Sequence, residues 1–255
     1  MKNIINWKLF FILLAACVVS SVLIIPYSLA LTSSELKITS FNLLAGILQS
    51  SILFALMIFF GLLLSKKIGM GAPLLQNILE GKNQSKELKS IIVPSITLGI
   101  LAGALILLFN IPFTRLIPEL QNMEVPIIPA WKGFLASFYG GIAEEVLLRL
   151  FLVSLFAWLS SIIKKNKNGN LTVSGIWLSI ILAAVVFGLG HLPATAKIFN
   201  LTGLVVARAI ILNGIGGIIF GWLYWKKGLE AAILSHFSTD IVLHVITPFI
   251  ASLFA

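Results

Sequence analysis

Apolar residues are concentrated in seven long runs, which short polar stretches separate. The runs cover residues 9–31, 41–64, 91–111, 132–163, 174–192, 203–225 and 229–255. An α-helix rises about 1.5 Å per residue, so roughly 20 apolar residues cross the ~30 Å hydrocarbon core of a bilayer. Each run is about this long or longer. The pattern therefore predicts an all-α, polytopic integral membrane protein with about seven transmembrane helices.

Two stretches complicate this count. The fourth run is over-long and contains Gly140 and Gly141, so a separate interfacial helix at its start would give eight helices. The connection before it is rich in proline, which interrupts helices because it lacks an N–H group. Its prolines are Pro112, Pro118, Pro126 and Pro129. We therefore expect no continuous helix in this connection.

The first run also has features of a cleaved signal peptide. It follows Lys8, it contains a possible cleavage site at Ser28-Leu29-Ala30, and the residues up to Cys17 resemble a lipoprotein box. However, the run is longer than the ~7–15 apolar residues of a signal and continues well past Cys17. We interpret it as an uncleaved first span.

Composition supports a membrane protein and excludes other classes. The 255 residues are 59% hydrophobic and 11% charged, which is more apolar surface than a soluble domain of this size could bury. Cys17 is the one cysteine, so an intrachain disulfide and a multi-cysteine metal site are excluded. The net charge of +9 comes from basic residues between the apolar runs. That distribution is typical of membrane orientation, so we expect membrane lipid and no nucleic acid as a partner.

Basic residues are more frequent in alternate connections. One set comprises Lys2, Lys8, Lys66, Lys67, Lys82, Lys86, Lys89, Lys164, Lys165, Lys167, Lys226 and Lys227. The opposite set comprises only Lys37, Arg115, Lys132 and Lys197. Because basic loops stay in the cytoplasm, this predicts a multi-pass protein of the cell membrane with a cytoplasmic N-terminus and an outer C-terminus.

The fourth run places charges in an otherwise apolar segment. Glu144, Glu145 and Arg149 lie within it. A charge in hydrocarbon costs at least about 2.5 kcal/mol on insertion scales, so such residues are usually paired or functional. Glu145 and Arg149 share a helix face, whereas Glu144 is turned by about 100°. We expect Arg149 to neutralise Glu145 and Glu144 to face a polar cavity, although a purely structural pair would fit the same spacing.

Two later runs contain histidines. His191 ends the fifth run, four residues after Phe187. On its own, a histidine there is often only structural. In the last run His236, Asp240 and His244 recur every four residues and so line one helix face. An aspartate between two histidines within a membrane is difficult to explain by packing alone.

The combination of these motifs resembles the CPBP family of intramembrane proteases, which includes CAAX proteases and the Abi proteins. The matching residues are Glu144, Glu145, Arg149, Phe187, His191, His236 and Asp240. Two departures are Asp240, where the family more often has asparagine, and Leu150, where it usually has glycine. The resemblance implies a catalytic core at 126–255, preceded by residues 1–125 without a recognisable motif.

The residues also suggest a chemistry. The residues that match these motifs include no serine and no cysteine, so we expect a water nucleophile. Glu144, paired with His191, would act as the base, and His236 would donate a hydrogen bond to the oxyanion. Ionised Asp240 can only accept, so we assign it the orientation of His236. Glu145, Arg149 and Phe187 would support these residues without a catalytic role. The predicted function is an endopeptidase that processes a peptide or a lipidated protein, of CAAX or bacteriocin type, and needs no cofactor.

Three alternatives remain open at this point. Two histidines and a carboxylate also form hydrolytic zinc sites, in which case Glu144, His191 and His236 would bind the metal. A non-catalytic immunity or binding protein would keep the cavity without the reaction. A proton-coupled transporter would use buried carboxylates as well, but it predicts internal symmetry, which the sequence lacks.

Overall fold

The computed structural model describes residues 5–31, 39–121, 128–163 and 171–253, and every regular element assigned within these ranges is helical. The α-helices cover Trp7–Leu23, Ile25–Leu31, Ser40–Ile68, Pro73–Leu79, Ser85–Leu116, Pro118–Gln121, Ala130–Phe138, Ser154–Ile163, Val173–Gly190, Leu192–Thr195, Gly203–Lys227, Leu229–Asp240 and Thr247–Ser252. Three π-helical segments cover Tyr139–Glu144, Val146–Val153 and Ile241–Ile246.

Seven helical stretches of the described chain are long and apolar enough to cross a membrane. In chain order, the first to seventh spans are Trp7–Leu31, Ser40–Ile68, Ser85–Leu116, Ala130–Ile163, Val173–Thr195, Gly203–Lys227 and Leu229–Ser252. This confirms the all-α membrane fold predicted from the apolar runs.

The start of the fourth apolar run and the proline-rich connection before it contain more continuous helix than expected. The fourth span is helical throughout Ala130–Ile163, so the prediction of a separate interfacial helix at its start is wrong. Pro112 lies inside the third span, which ends only at Leu116. Proline is tolerated in a membrane helix where neighbouring groups satisfy the freed carbonyl. Several residues used for the connection and orientation predictions lie outside the described ranges, namely Pro126, Lys2, Lys37, Lys164, Lys165 and Lys167.

The seventh span is enclosed by the third, fourth and sixth spans. Glycine allows these helices to approach closely. A Cβ atom at Gly99 would collide with the carbonyl oxygen of Ser235, and one at Gly141 would lie 3.1 Å from the Cβ atom of Phe237. Small residues at helix crossings increase van der Waals contact, which drives association where water is absent. The seventh span is thereby held at a fixed depth against its neighbours.

The π-helical segments coincide with the polar motifs. Two of them flank Glu145, and the third begins directly after Asp240. Single π-turns are rare and occur frequently at functional sites. The backbone therefore departs from α-helical geometry where the charged residues are found.

Candidate active site

Four spans bring the polar motifs together at a buried ion pair. Nη1 of Arg149 lies 2.9 Å from Oε1 of Glu145, and both side chains are almost completely buried. Nη2 of Arg149 donates to the carbonyl oxygen of Gly217 on the sixth span at 3.2 Å. The guanidinium also lies 5.3 Å from the ring centroids of Phe187 and Phe220. These contacts offset the desolvation of a charge that would otherwise be costly in the membrane interior.

The same carboxylate binds His236. Oε1 of Glu145 lies 2.8 Å from Nδ1 of His236. An ionised carboxylate only accepts, so Nδ1 carries the proton in this bond. The imidazole stacks on the Phe220 ring with centroids 4.6 Å apart and an interplanar angle of 20°. The ring orientation of His236 is therefore fixed by one hydrogen bond and one stacking contact.

The second ring nitrogen of His236 faces the remaining carboxylates. Nε2 lies 3.8 Å from Oε2 of Glu144 and 3.6 Å from Oδ1 of Asp240. Both distances exceed a direct hydrogen bond. Glu144 and His236 thus face each other without satisfying each other, and each retains capacity for a further partner.

Gly140 has no side chain, and the side chains of Asp240 and His236 pack into the space beside its backbone. A Cβ atom there would collide with Oδ2 of Asp240 and lie 3.2 Å from Nε2 of His236. Gly140 precedes Glu144 by four residues on the fourth span. The backbone of the fourth span at Gly140 is therefore in direct contact with the side chains of Asp240 and His236 on the seventh span.

His191 lies next to this cluster. Its Nδ1 is 2.9 Å from the carbonyl oxygen of Phe187, so Nδ1 donates and Nε2 is left as an acceptor. The Phe187 ring contacts both imidazoles, with centroids 4.8 Å from His191 and 5.7 Å from His236. Among the described residues, no carboxylate oxygen lies within 4.0 Å of a His191 ring nitrogen. The structure thus shows no ion pair and no hydrogen bond between His191 and Glu144.

Side-chain exposure increases in one direction through the site. The exposed fraction is 0% for Glu145 and 6% for His236, then 11% for Asp240 and 36% for His244. Glu144 is 23% exposed. The site is closed on the side of the ion pair and opens along the seventh span beyond Asp240.

The arrangement does not fit the alternative of a zinc site. Zinc takes direct ligands at about 2.0–2.2 Å from nitrogen and oxygen, usually three or more from the protein. Within the described part of the chain, no group of three or more His, Cys, Asp and Glu side chains is arranged to hold a metal ion.

Sequence reasoning missed several members of the site. It treated Glu145 only as the partner of Arg149, and it gave no role to Phe220, Gly140 or Tyr27. The aromatic and glycine positions carry no periodic signal, because their roles depend on contacts between distant spans. Tyr27 hydrogen-bonds to His244 across 217 residues of sequence. Such a pairing cannot be read from local spacing.

We predict that Gly140→Ala lowers the rate of the hydrolysis expected from the sequence by about a hundredfold, because a misplacement of about 1 Å in reacting groups has this effect. The added methyl group would displace Asp240 and His236. Gly190→Ala is the matched control, since its Cβ atom would meet no atom within 4 Å. Turnover and melting temperature in detergent should be compared for both variants. Full activity in folded Gly140→Ala would contradict the described packing.

The comparison with known proteins agrees with the motifs. A family model described as type II CAAX prenyl endopeptidase, Rce1-like, matches residues 126–242. The match includes Glu144, Glu145, Arg149, His191 and His236. No curated protein and no solved structure matches the chain. Residues 126–242 therefore form a domain of the Rce1-like type II CAAX prenyl endopeptidase family, within the CPBP and Abi group, and membership in this family implies a protease.

Proposed function

We propose that the protein is an intramembrane endopeptidase that hydrolyses its peptide substrate with a water molecule activated by Glu144. The observation that carries this proposal is the opposition of Oε2 of Glu144 and Nε2 of His236 at 3.8 Å in a half-open site. Peptide hydrolysis needs a base for the water and a donor for the oxyanion on the opposite side of the scissile carbonyl. These two atoms meet both requirements.

Glu144 is the best candidate for the general base. Its neighbour Glu145 is closed off by Arg149 and His236, whereas Glu144 is partly exposed and has no ion pair shorter than 3.8 Å. A carboxylate with free acceptor capacity can bind a water and take its proton. The unprotonated Nε2 of His191 would hold the same water from the neighbouring span. A bridging water would make this pairing compatible with the lack of a direct hydrogen bond between the two side chains.

His236 would stabilise the oxyanion. Its Nδ1 proton is used by Glu145, so Nε2 donates only in the imidazolium form. Carboxylates of Glu144, Glu145 and Asp240 lie within 4.0 Å of its ring nitrogens and supply the counter-charge. This changes the division of roles expected from the sequence. Glu145 is better placed than Asp240 to orient His236, and Asp240 would balance the charge at Nε2.

We propose a lipidated peptide as the substrate, because the matched family is one of prenyl endopeptidases. A CAAX sequence has a prenylated cysteine followed by three residues. The suitable probe is an internally quenched peptide that ends in a farnesylated CAAX sequence, with its unmodified counterpart beside it. Cleavage of only the unmodified peptide would favour processing of other peptides, such as bacteriocin precursors. Cleavage of neither peptide, in a folded preparation, would favour the immunity or binding function.

The catalytic assignment predicts different outcomes for two neighbouring charges. Glu144→Gln should abolish cleavage and keep the folded yield, because it removes the base but preserves the shape of the side chain. Arg149→Ala should lower the folded yield, since loss of one partner of a buried ion pair destabilises by about 3–5 kcal/mol. Yield and melting temperature in detergent, together with cleavage rate, distinguish the two effects.

The control for the first variant is Glu87→Gln, which removes a carboxylate from an exposed position at the start of the third span. Glu87→Gln should cleave the peptide at the same rate as the unsubstituted protein. Retained cleavage in Glu144→Gln would exclude Glu144 as the base, and loss of its fold would make it a structural residue.

A separate prediction distinguishes glutamate from metal catalysis. Because the donor groups do not form a ligand set, we expect cleavage to persist after dialysis against a strong chelator. The metal content of the dialysed enzyme should be measured, and cleavage should be assayed with and without added zinc. Activity that is lost with the metal and restored by zinc would contradict the glutamate mechanism.

We also propose that the site opens away from the cytoplasm. Exposure rises along the seventh span towards Ser252, the end at which Arg115, Lys132 and Lys197 are found. The described basic residues at the opposite, lysine-rich end are Lys8, Lys66, Lys67, Lys82, Lys86, Lys89, Lys226 and Lys227. The positive-inside bias places the lysine-rich end in the cytoplasm. The substrate peptide would then reach the site from the other side.

This orientation can be tested with single-cysteine variants in a Cys17→Ala background. Residues Lys86 and Lys197 are exposed and lie at opposite ends of the spans. A membrane-impermeant maleimide should label Lys197→Cys in intact cells, and Lys86→Cys only after permeabilisation. The reverse labelling pattern would contradict the proposed side.

A further inference from the structure

His244 extends the polar face of the seventh span beyond the residues used above. It lies one helical turn after Asp240, and the family match ends at residue 242. Its contact partner, Tyr27, belongs to the first span and lies far outside the match. The proposed reaction gives neither residue a role.

The two residues form a defined pair. The hydroxyl oxygen of Tyr27 lies 3.0 Å from Nδ1 of His244, and the ring centroids are 5.3 Å apart in an edge-on arrangement. The backbone of His244 is also fixed, because a Cβ atom at Gly133 would collide with its carbonyl oxygen. The imidazole is therefore positioned from the first and fourth spans.

The other nitrogen of His244 is directed at the site. Its Nε2 lies 4.0 Å from Oδ1 of Asp240. A proton on Nδ1 would leave the Nε2 lone pair facing the carboxylate, which is repulsive. If the tyrosine hydroxyl instead donates to Nδ1, the proton resides on Nε2 and attracts Asp240. The geometry therefore favours the Nε2–H tautomer with Tyr27 as the donor.

Asp240 then lies between two imidazoles. The same oxygen, Oδ1, is 3.6 Å from Nε2 of His236 and 4.0 Å from Nε2 of His244. Its second oxygen, Oδ2, is packed against Gly140, so the carboxylate cannot rotate freely. The charge of Asp240 is thereby located between the catalytic cluster and the Tyr27–His244 pair.

We propose that Tyr27 and His244 are positioning residues that hold Asp240 beside the oxyanion-binding nitrogen of His236. The first span would then contribute to the active site, although the family match does not include it. The effect on turnover rests on the proposed peptidase function, whereas the tautomer of His244 does not.

The tautomer is measurable without a substrate. The chain has three histidines, so nitrogen-15 labelling of histidine gives six ring nitrogens, which single His→Gln variants assign. In detergent-solubilised protein, two-bond nitrogen–proton correlation spectra should show His244 protonated at Nε2 only and His236 protonated at both ring nitrogens. Tyr27→Phe should abolish the single tautomer of His244. A proton on Nδ1 of His244, or an unchanged His244 spectrum in Tyr27→Phe, would overturn the proposal.

Tyr224→Phe is the matched control for the loss of a buried hydroxyl group. Tyr224 is buried, and its hydroxyl lies 2.7 Å from Oγ of Ser154, away from His244. This variant should melt at a lower temperature and leave the His244 spectrum unchanged. An equal effect of both tyrosine variants on His244 would indicate a general loss of packing and would overturn the specific pairing.

Kinetics on the farnesylated probe test the positioning role. We expect Tyr27→Phe to lower kcat by about tenfold with little change in KM, a typical loss for a hydrogen bond to a charged network. In an Asp240→Asn background, Tyr27→Phe should change kcat very little, because the charge to be held is absent. The same tenfold loss in both backgrounds would make the pair structural. Failure of the peptidase function itself would appear separately, as no cleavage of either peptide by the folded parent protein, and it would leave the tautomer measurement intact.

Discussion

A buried arginine places the strongest constraint on this structure. The guanidinium of Arg149 lies in the interior of a membrane protein, where charge without partners is very unfavourable. Its partners come from three different spans, namely Glu145, the carbonyl group of Gly217, and the faces of Phe187 and Phe220. Glu145 extends the network to His236 on the seventh span. The packing of the bundle and the geometry of the site thus depend on the same contacts.

This network explains how two adjacent glutamates acquire different properties. One residue of helix turns the side chain by about 100°, so Glu145 faces the bundle interior and Glu144 faces the opening. Glu145 is completely buried by its two partners, whereas Glu144 keeps free acceptor capacity. The same separation applies to the two nitrogens of His236, since Nδ1 is bound and Nε2 faces the opening. Because Glu145 and Nδ1 of His236 are bound to each other, Glu144 and Nε2 of His236 remain available for a substrate or a water molecule.

The sequence predicts the spans and the short-range pairs well, because both depend on local periodicity. The apolar runs correspond to the seven spans, and the spacing of four predicts the contact between Glu145 and Arg149. The π-helical segments, the Glu145–His236 bond and the Tyr27–His244 bond were not predictable. Each depends on the register between spans that are far apart in sequence. The surroundings of His191 illustrate the limit, since its hydrogen bond to the carbonyl oxygen of Phe187 was not predicted, whereas a water shared with Glu144 stays a prediction.

The central claim is that Glu144 and His236 act from opposite sides of a scissile carbonyl group. The most direct measurement is an experimental structure of Glu144→Gln with the uncleaved farnesylated peptide bound. The account predicts that the scissile carbonyl oxygen accepts a hydrogen bond from Nε2 of His236, with a water between residue 144 and His191. A peptide bound away from these two side chains, or a metal ion bridging residue 144 and the histidines, would contradict it.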